Sequence, residues 1–431
     1  MNTHLAFVWK KLTTGTGNKI LIAFFVRGLG AVAGVIMSVI VARSLPVEEA
    51  GLFFLAFTMV TILAAVSGLG LNHSLLRFIG AAGAEQDWRE VNSAYRFAMQ
   101  YGGMAAVLCA TLLWFSADLL AGWLNKPDIA PVLRAIAPGV VGLALFTLHA
   151  HALQALHETA RSILILNIVA PLGLSALLLL TGASQAAWVG QLYTVSASIT
   201  LAVALWLWWR HSWVALPARF TQTLWHSCMP LWVVVIASQF TMWGGQLVAG
   251  FYVSAEQLAF LAVAQRLAML VSFILVVVNL VMAPRFAALW QQQKVAQLAR
   301  QATLSTWLIA AVAVPVVTVV FIFAEQILLL FGKDYSQAAL LLQVLLIGQL
   351  INALTGSVGY LLMMSGHEKD VRNMTIFFGF LSVLFVLVLI PLYGVLGAAV
   401  GTAISISLQN IVLFGIVKRR LGFWTLNLRI R

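Results

Sequence analysis

Residues 21–41 read LIAFFVRGLGAVAGVIMSVIV, an apolar run of membrane-spanning length interrupted by one guanidinium, that of Arg27. Hydrocarbon offers no water to backbone N–H and C=O groups, so a segment of this kind must satisfy them internally, as a helix. Similar runs recur along the whole 431-residue chain, which is 62% hydrophobic, 9% charged and has a mean hydropathy of +0.99. A soluble domain would carry about 25% charged residues. We place twelve spans, at 20–41, 52–71, 97–115, 132–152, 162–182, 187–208, 229–251, 258–282, 304–323, 339–363, 375–392 and 395–417. At roughly 20 residues each they use about 240 positions, and the remainder is too short for a separate soluble catalytic domain. Pro138, Pro171 and Pro315 fall inside runs, which lipid tolerates when neighbours satisfy the freed carbonyls. The expected fold class is an all-α integral membrane protein of about 12 transmembrane helices.

The formal charge of +12 would suggest nucleic acid only on a soluble fold with a basic face. Here it follows sidedness. Alternating the twelve spans puts Arg43, Lys126, Arg134 and Lys333 on one side, Arg27 and Arg266 inside spans, and the other 19 of the 25 basic residues on the opposite side. The positive-inside rule then makes both termini cytoplasmic. The opening MNTHLAFVWKKLTTGTGNK lacks the order of a cleavable signal, because Lys10 and Lys11 follow its short apolar run, and reads as a retained amphipathic lead-in. Cys109 and Cys228 have neither disulfide nor metal-ligand spacing. Trp206, Trp208 and Trp209 read as an interfacial belt.

The halves repeat. Glu48 and Arg77-Phe78 are spaced as Glu256 and Arg285-Phe286, and ALHETARS around His157-Glu158 has a counterpart in SGHEKDVRN around His367-Glu368. Six spans per half make parallel repeats about an axis along the membrane normal, with a lobe at 1–209, a linker at 210–227 and a lobe at 228–431 around a central cleft. The linker's Trp213, Leu216, Phe220 and Leu224 have the helical spacing of a surface-lying segment. Neither His-Glu pair has a third clustered ligand, so turn and closure roles are expected for them and no metal site.

Three stretches of the second half, YVSAEQLAFLAVAQRLAMLVSFILVVVNLVMAPRFAALW, FGKDYSQAALLLQVLLIGQLINALTGSVGYLLMMSGHEK and LIPLYGVLGAAVGTAISISLQNIVLFGIVKRRLG, carry a family likeness. With ARSLPVEEAGLFFLAFTMVTILAAVSGLGLNHSLLRFIG of the first half, the chain resembles the polysaccharide flippases of the multidrug/oligosaccharidyl-lipid/polysaccharide export superfamily. The resemblance covers nearly the whole chain. It implies a two-lobed bundle of twelve helices that moves an undecaprenyl-diphosphate-linked oligosaccharide across a bacterial cytoplasmic membrane. Membrane lipids, a polysaccharide polymerase and a chain-length regulator are the partners it suggests, with no cofactor and no nucleic acid.

The site expectations come from charges inside the spans. A lipid-facing arginine at the bilayer centre costs at least about 3 kcal/mol, so Arg27 and Arg266 are expected to face a wet cleft. Guanidinium groups donate bidentate hydrogen bonds to a diphosphate and keep their charge, and each half supplies one. No Asp or Glu falls inside a placed span, whereas a cation-coupled drug exporter usually needs an intramembrane carboxylate. The histidines His73, His149 and His151 are the candidates for energy coupling. Gln239, Gln246, Gln265 and Asn279 are candidate cargo contacts, each with interhelical hydrogen bonding as the plain alternative, as for Gln343 and Asn352. The expected function is a non-enzymatic flippase, with a cation-coupled multidrug exporter or a non-catalytic assembly scaffold as alternatives. A glycosyltransferase or polymerase would need a larger external loop than the stretch around 116–131.

Overall fold

The computed structural model describes residues 15–209 and 222–426. Among them every regular element is helical, and twelve helices are long and apolar enough to cross a membrane. Spans 1 to 6 are Phe25–Ser44, Val47–Ser67, Trp88–Phe115, Ile129–Ala155, Thr159–Thr181 and Ala186–Trp209. Spans 7 to 12 are Leu231–Tyr252, Ala255–Asn279, Val295–Ile322, Lys333–Met364, Glu368–Tyr393 and Val395–Leu421. The amphipathic lead-in falls mainly on residues outside the described ones, as does most of the expected linker. Large apolar side chains stand exposed along the helices, Leu180 and Phe380 at 83%. Water would penalise such a surface and lipid does not.

Spans 3, 9 and 11 begin at Trp88, Val295 and Glu368, earlier than the expected 97, 304 and 375. Hydropathy marks only the part of a helix that lies in hydrocarbon, so polar first turns escape it; that of span 3 is held by a side-chain cap. Asp87 Oδ1 accepts hydrogen bonds from the N–H groups of Arg89 and Glu90, at 3.0 and 3.1 Å. The acidic residues follow the same rule. Glu48, Glu49, Glu90, Asp118, Glu256, Glu325, Asp334, Glu368 and Asp370 sit in first turns, where the helix dipole favours negative charge. Glu85, Asp87 and Glu158 flank helices, and Asp128 directly precedes one. Among the described residues no carboxylate lies within the body of a span.

The repeat is visible in the backbone. Gln86 (φ +59°) and Gln293 (φ +57°) take the same left-handed conformation ahead of two helices of 28 residues each, Trp88–Phe115 and Val295–Ile322. The copies part company one helix earlier. Helix Ala255–Gln291 runs unbroken across Pro284, whereas the first-half counterpart stops at Ser67 and restarts as Leu71–Ala84. Leu69 (φ +50°) and Gly70 (φ +72°) make that break, and a side chain at Gly70 would meet the Cys228 carbonyl at 2.5 Å. Prolines act differently by position. Pro138 separates Ile129–Ile136 from Gly139–Ala155, Pro171 follows a π-helical turn at Ile165–Val169, and Pro315 is accommodated inside a continuous helix.

The chain divides into two compact units. Unit 1 comprises the described parts of Met1–Ser44, Leu63–Asp118 and Ala130–Trp232, and unit 2 comprises those of Leu45–Ile62, Leu119–Ile129 and Val233–Arg431. In unit 1, span 4 packs on spans 3 and 6, and span 1 on span 5. In unit 2, span 8 packs on spans 9 and 10, span 10 on span 12, and span 12 on span 11. Small residues allow the close approaches that lipid-embedded helices depend on. At Gly379 an added Cβ would sit 2.6 Å from the Ala237 carbonyl oxygen, while at Gly415 it would meet open space. Gly379→Ala is therefore expected to cost about 1–3 kcal/mol by overpacking and to lower the melting temperature in detergent. Gly415→Ala should hold or raise it, since a helix gains from losing a glycine.

Candidate functional site

Arg266 lies on span 8, and helical side chains lean towards the N-terminus of their helix. Its Nη1 accordingly donates back to the Ala262 carbonyl at 3.0 Å. The guanidinium carbon lies 4.3 Å from the centre of the Phe54 ring, 5.7 Å from Phe57 and 5.9 Å from Trp243. All four residues belong to unit 2. Cation–π contacts contribute about 2 kcal/mol when desolvated, so the rings stabilise the charge without neutralising it. Nη2 is buried and has no hydrogen-bond partner, and no carboxylate among the described residues pairs with Arg266. The buried Tyr335, whose hydroxyl also lacks a partner, packs edge-on to Phe260 with ring centres 5.6 Å apart.

On span 7, Gln239, Trp243 and Gln246 follow at i, i+4 and i+7 and share one helix face. Gln246 is fully buried with neither amide atom partnered, and Oε1 of Gln239 is buried without a partner. Gln265 instead donates to the Met242 carbonyl and pins span 8 to span 7. Asn279 is buried with Oδ1 unpartnered. Gln343 donates to the Phe321 carbonyl at 3.1 Å, and Asn352 to Gln349, whose Oε1 also accepts from Ser272 at 2.6 Å. Gln265 and Gln343 thus hold helices together, as Gln349 does through Ser272, whereas Asn352 bonds within its own helix. Gln239, Gln246 and Asn279 retain polar atoms for another group.

In unit 1, Arg27 is half-buried on span 1. Three residues on, Gly30 lies flush with Asn167, where an added Cβ would stand 2.6 Å from the Asn167 Cβ. Asn167 occupies the π turn that precedes Pro171. Proline has no N–H to give the carbonyl four residues back, and a π turn absorbs that loss. The three histidines form no metal-binding group among the described residues, although His73 and His151 lie near enough to interact electrostatically. Nδ1 of His149 lies 2.9 Å from the Tyr95 hydroxyl, and Tyr95 stacks on Trp208 with centres 4.1 Å apart. Trp208, expected in an interfacial belt, is therefore buried by that stack, while Trp206 and Trp209 are exposed. His151 Nδ1 donates to the Thr147 carbonyl at 2.8 Å. His73 precedes span 3 on helix Leu71–Ala84, and burial pushes its pKa below the usual 6.5.

The His-Glu pairs serve turns. His157 has φ +63°, Glu158 pairs with Arg161 at 2.8 Å, and His367 Nδ1 lies 3.3 Å from the Ser365 hydroxyl. No cluster of three or more His, Cys, Asp or Glu suited to a metal occurs among the described residues. Sequence reasoning missed Phe54, Phe57, Trp243 and Tyr335. Aromatic residues in an apolar run look alike whether they face lipid, core or a cation, so only the distances reveal their role.

The family model described as "Polysaccharide biosynthesis protein" matches residues 16–290, and the MatE model matches residues 230–390. No curated protein matches the sequence. Among solved structures, a multidrug resistance MATE family transporter of the MOP superfamily in an inward-facing conformation is 16% identical with a TM-score of 0.74, covering 94% of this chain and 98% of that one. The lipid II flippase MurJ in an inward closed conformation is 14% identical with a TM-score of 0.70, covering 92% and 87%. A MOP superfamily transporter from Pyrococcus furiosus, described as having a binding pocket of reverse polarity, is 18% identical with a TM-score of 0.66, covering 94% of each chain. Twelve spans, this fold and these family models define a multi-pass transporter of the MOP superfamily. Within that class the chain belongs to the polysaccharide biosynthesis protein family.

His73 supplies a pH test. Its lowered pKa means that the unfolded chain takes up a proton below pH 6.5 before the folded chain does, so stability falls as pH drops through that window. Melting temperatures measured from pH 7.5 to pH 5 should fall more steeply for the wild type than for His73→Asn. Parallel curves would show that this burial does not penalise protonation.

Proposed function

We propose that the protein is a flippase for an undecaprenyl-diphosphate-linked oligosaccharide, acting in a bacterial cytoplasmic membrane with both termini in the cytoplasm. In this reading it is non-enzymatic and works by alternating access of a lobe at 1–209 and a lobe at 228–431. The observation that carries the reading is Arg266, a permanent cation with a buried donor left unfilled and no carboxylate beside it among the described residues. Such a group suits an anionic oxygen that arrives with the cargo. Arg27 is the second proposed anion contact, and Gln239, Gln246 and Asn279 are the proposed partners of sugar hydroxyls. Gln265 joins them only if its bond to Met242 opens. His73, His149 and His151 are the proposed coupling groups, and a polymerase and a chain-length regulator the proposed protein partners.

The matching MatE model favours a second reading, a cation-coupled multidrug exporter. Against it stands the confinement of carboxylates to helix ends and loops, which leaves a cationic drug no charged partner inside the described spans. Reconstitution into vesicles with a labelled polyprenyl-diphosphate oligosaccharide separates the two. The flippase reading expects outer-leaflet label to appear faster with protein. It also expects Arg266→Ala and Arg27→Ala each to slow flipping by about tenfold or more, as the loss of a charge-assisted hydrogen bond would. Full flipping by both variants at normal expression would overturn the role of the arginines. Gradient-driven efflux of a cationic dye without any flipping would establish the exporter.

A further inference from the structure

Tyr335 lies in the stretch FGKDYSQ at 331–337, where the 3-10 turn Lys333–Ala338 leads into helix Ala339–Thr355. Gly332 (φ +139°) brings the chain into that turn through a backbone conformation that residues with a Cβ rarely adopt. The turn sets the phenol ring edge-on against Phe260, with centres 5.6 Å apart, and beside Phe331 at 6.2 Å. Tyr335 is 1% exposed, so packing rather than solvent decides where its hydroxyl points. That hydroxyl is buried and has no hydrogen-bond partner. A buried phenol usually finds one, because an unmade bond leaves its lost hydration uncompensated.

A second unfilled donor lies close by. The Arg266 guanidinium reaches back to the Ala262 carbonyl, while the Tyr335 ring packs on Phe260, two residues or about 3 Å of helix rise away. The two side chains are near enough to interact electrostatically, yet they share no hydrogen bond. Phe54, Phe57 and Trp243 attract the guanidinium through their π systems, and Nη2 stays open with all three rings in place. All of these residues belong to unit 2. Asp334 is adjacent to Tyr335 in sequence but exposed, and so is not enclosed with the two donors.

We propose that Tyr335 is the second donor of the Arg266 anion site, its phenolic O–H and Nη2 of Arg266 converging on the oxygens of one diphosphate. The inference rests on the reading of Arg266 as an anion contact and adds the residue that gives the site its direction. A guanidinium alone takes an oxyanion along any free N–H edge. A guanidinium with a fixed phenol beside it needs acceptor oxygens within reach of both, and a diphosphate carries several. Without cargo the buried hydroxyl is a burden on the fold, and with cargo it is satisfied.

The test compares Tyr335→Phe, which removes one oxygen and keeps the ring, with the wild type and with Tyr393→Phe, a change at an exposed tyrosine. Full-length proteins are placed in lipid nanodiscs. Calorimetry measures affinity for farnesyl diphosphate, inorganic diphosphate and farnesol, and thermal melts measure stability without ligand. Tyr335→Phe is expected to weaken farnesyl diphosphate binding about tenfold, the size of one hydrogen bond to a charged group, and to leave farnesol unaffected. It should also hold or raise the ligand-free melting temperature, because an unpartnered buried hydroxyl has been removed. Tyr393→Phe should change neither quantity. In an Arg266→Gln background the effect of Tyr335→Phe on affinity should shrink below about threefold, as coupled contacts to one group do.

An equal loss with inorganic diphosphate assigns the pair to the anion itself, and a loss confined to farnesyl diphosphate assigns it to a lipid-linked head group; the proposal stands on either. A lower melting temperature with unchanged affinity would mean that the hydroxyl serves the fold through bound water, which overturns the proposal. A tenfold loss that persists in Arg266→Gln overturns the shared site, since the hydroxyl would then meet a separate group. Unchanged affinity in Tyr335→Phe beside weakened binding in Arg266→Gln overturns the second donor and leaves the Arg266 reading standing. Absence of farnesyl diphosphate binding by the wild type overturns both.

Discussion

An ionised side chain inside hydrocarbon has no solvent to fall back on, so whatever partners the protein supplies must serve in place of water. Arg266 has rings on its faces, one carbonyl on Nη1 and nothing on Nη2. A structural arginine would ordinarily be closed off by a carboxylate or by several carbonyls, because an uncompensated buried charge costs several kcal/mol. This chain instead keeps each described carboxylate at a helix end or in a connection, where the dipole and interfacial water favour it. The interior of the spans is left cationic. The proposed function draws on that single asymmetry: it would admit anionic cargo, leave a cationic drug without an anchor, and make histidines the proton carriers to test.

The division of the chain serves the same charge. Segment 45–62 lies far upstream of Arg266 in sequence yet belongs to the same compact unit, and it contributes the nearest ring. Glycines at 51 and 250 let backbones approach where side chains would interlock. In unit 1 the break at Leu69-Gly70 and the π turn before Pro171 interrupt helices that their apolar content would otherwise make continuous. Both irregularities stand where the chain carries polar side chains, Asn72 and His73 after the first and Asn167 within the second. Irregular backbone inside a membrane protein is tolerated where it is buried or meets water.

Much of this architecture is legible in the sequence, and for identifiable reasons. Lipid demands about 20 apolar residues per crossing, so spans such as 339–363 can be counted from hydropathy alone, and the spacing of Glu48 and Arg77 repeated in Glu256 and Arg285 marks the two copies. The capped ends are less legible. Trp88 to Arg96 is polar in composition and helical in fact, because Asp87 satisfies its first N–H groups. Trp208 has the composition of a belt residue, yet Tyr95 stacks on it and takes it inside. Arg266 is visible as a charge in an apolar run, but its aromatic surroundings are not, since Phe54 meets it only through tertiary packing. The polar candidates divide in the same way: Gln265 is consumed by the Met242 carbonyl, while the amide of Gln246 has no partner.

The central claim is that the charge of Arg266 awaits an anion. The most direct measurement is the affinity of the protein in nanodiscs for farnesyl diphosphate by calorimetry, comparing the wild type with Arg266→Gln and with Arg134→Gln, an exposed arginine already paired with Asp118. The account predicts saturable binding that Arg266→Gln weakens by about tenfold or more, the size of one lost charge-assisted contact, and that Arg134→Gln leaves unchanged. Equal affinity in all three proteins would contradict it.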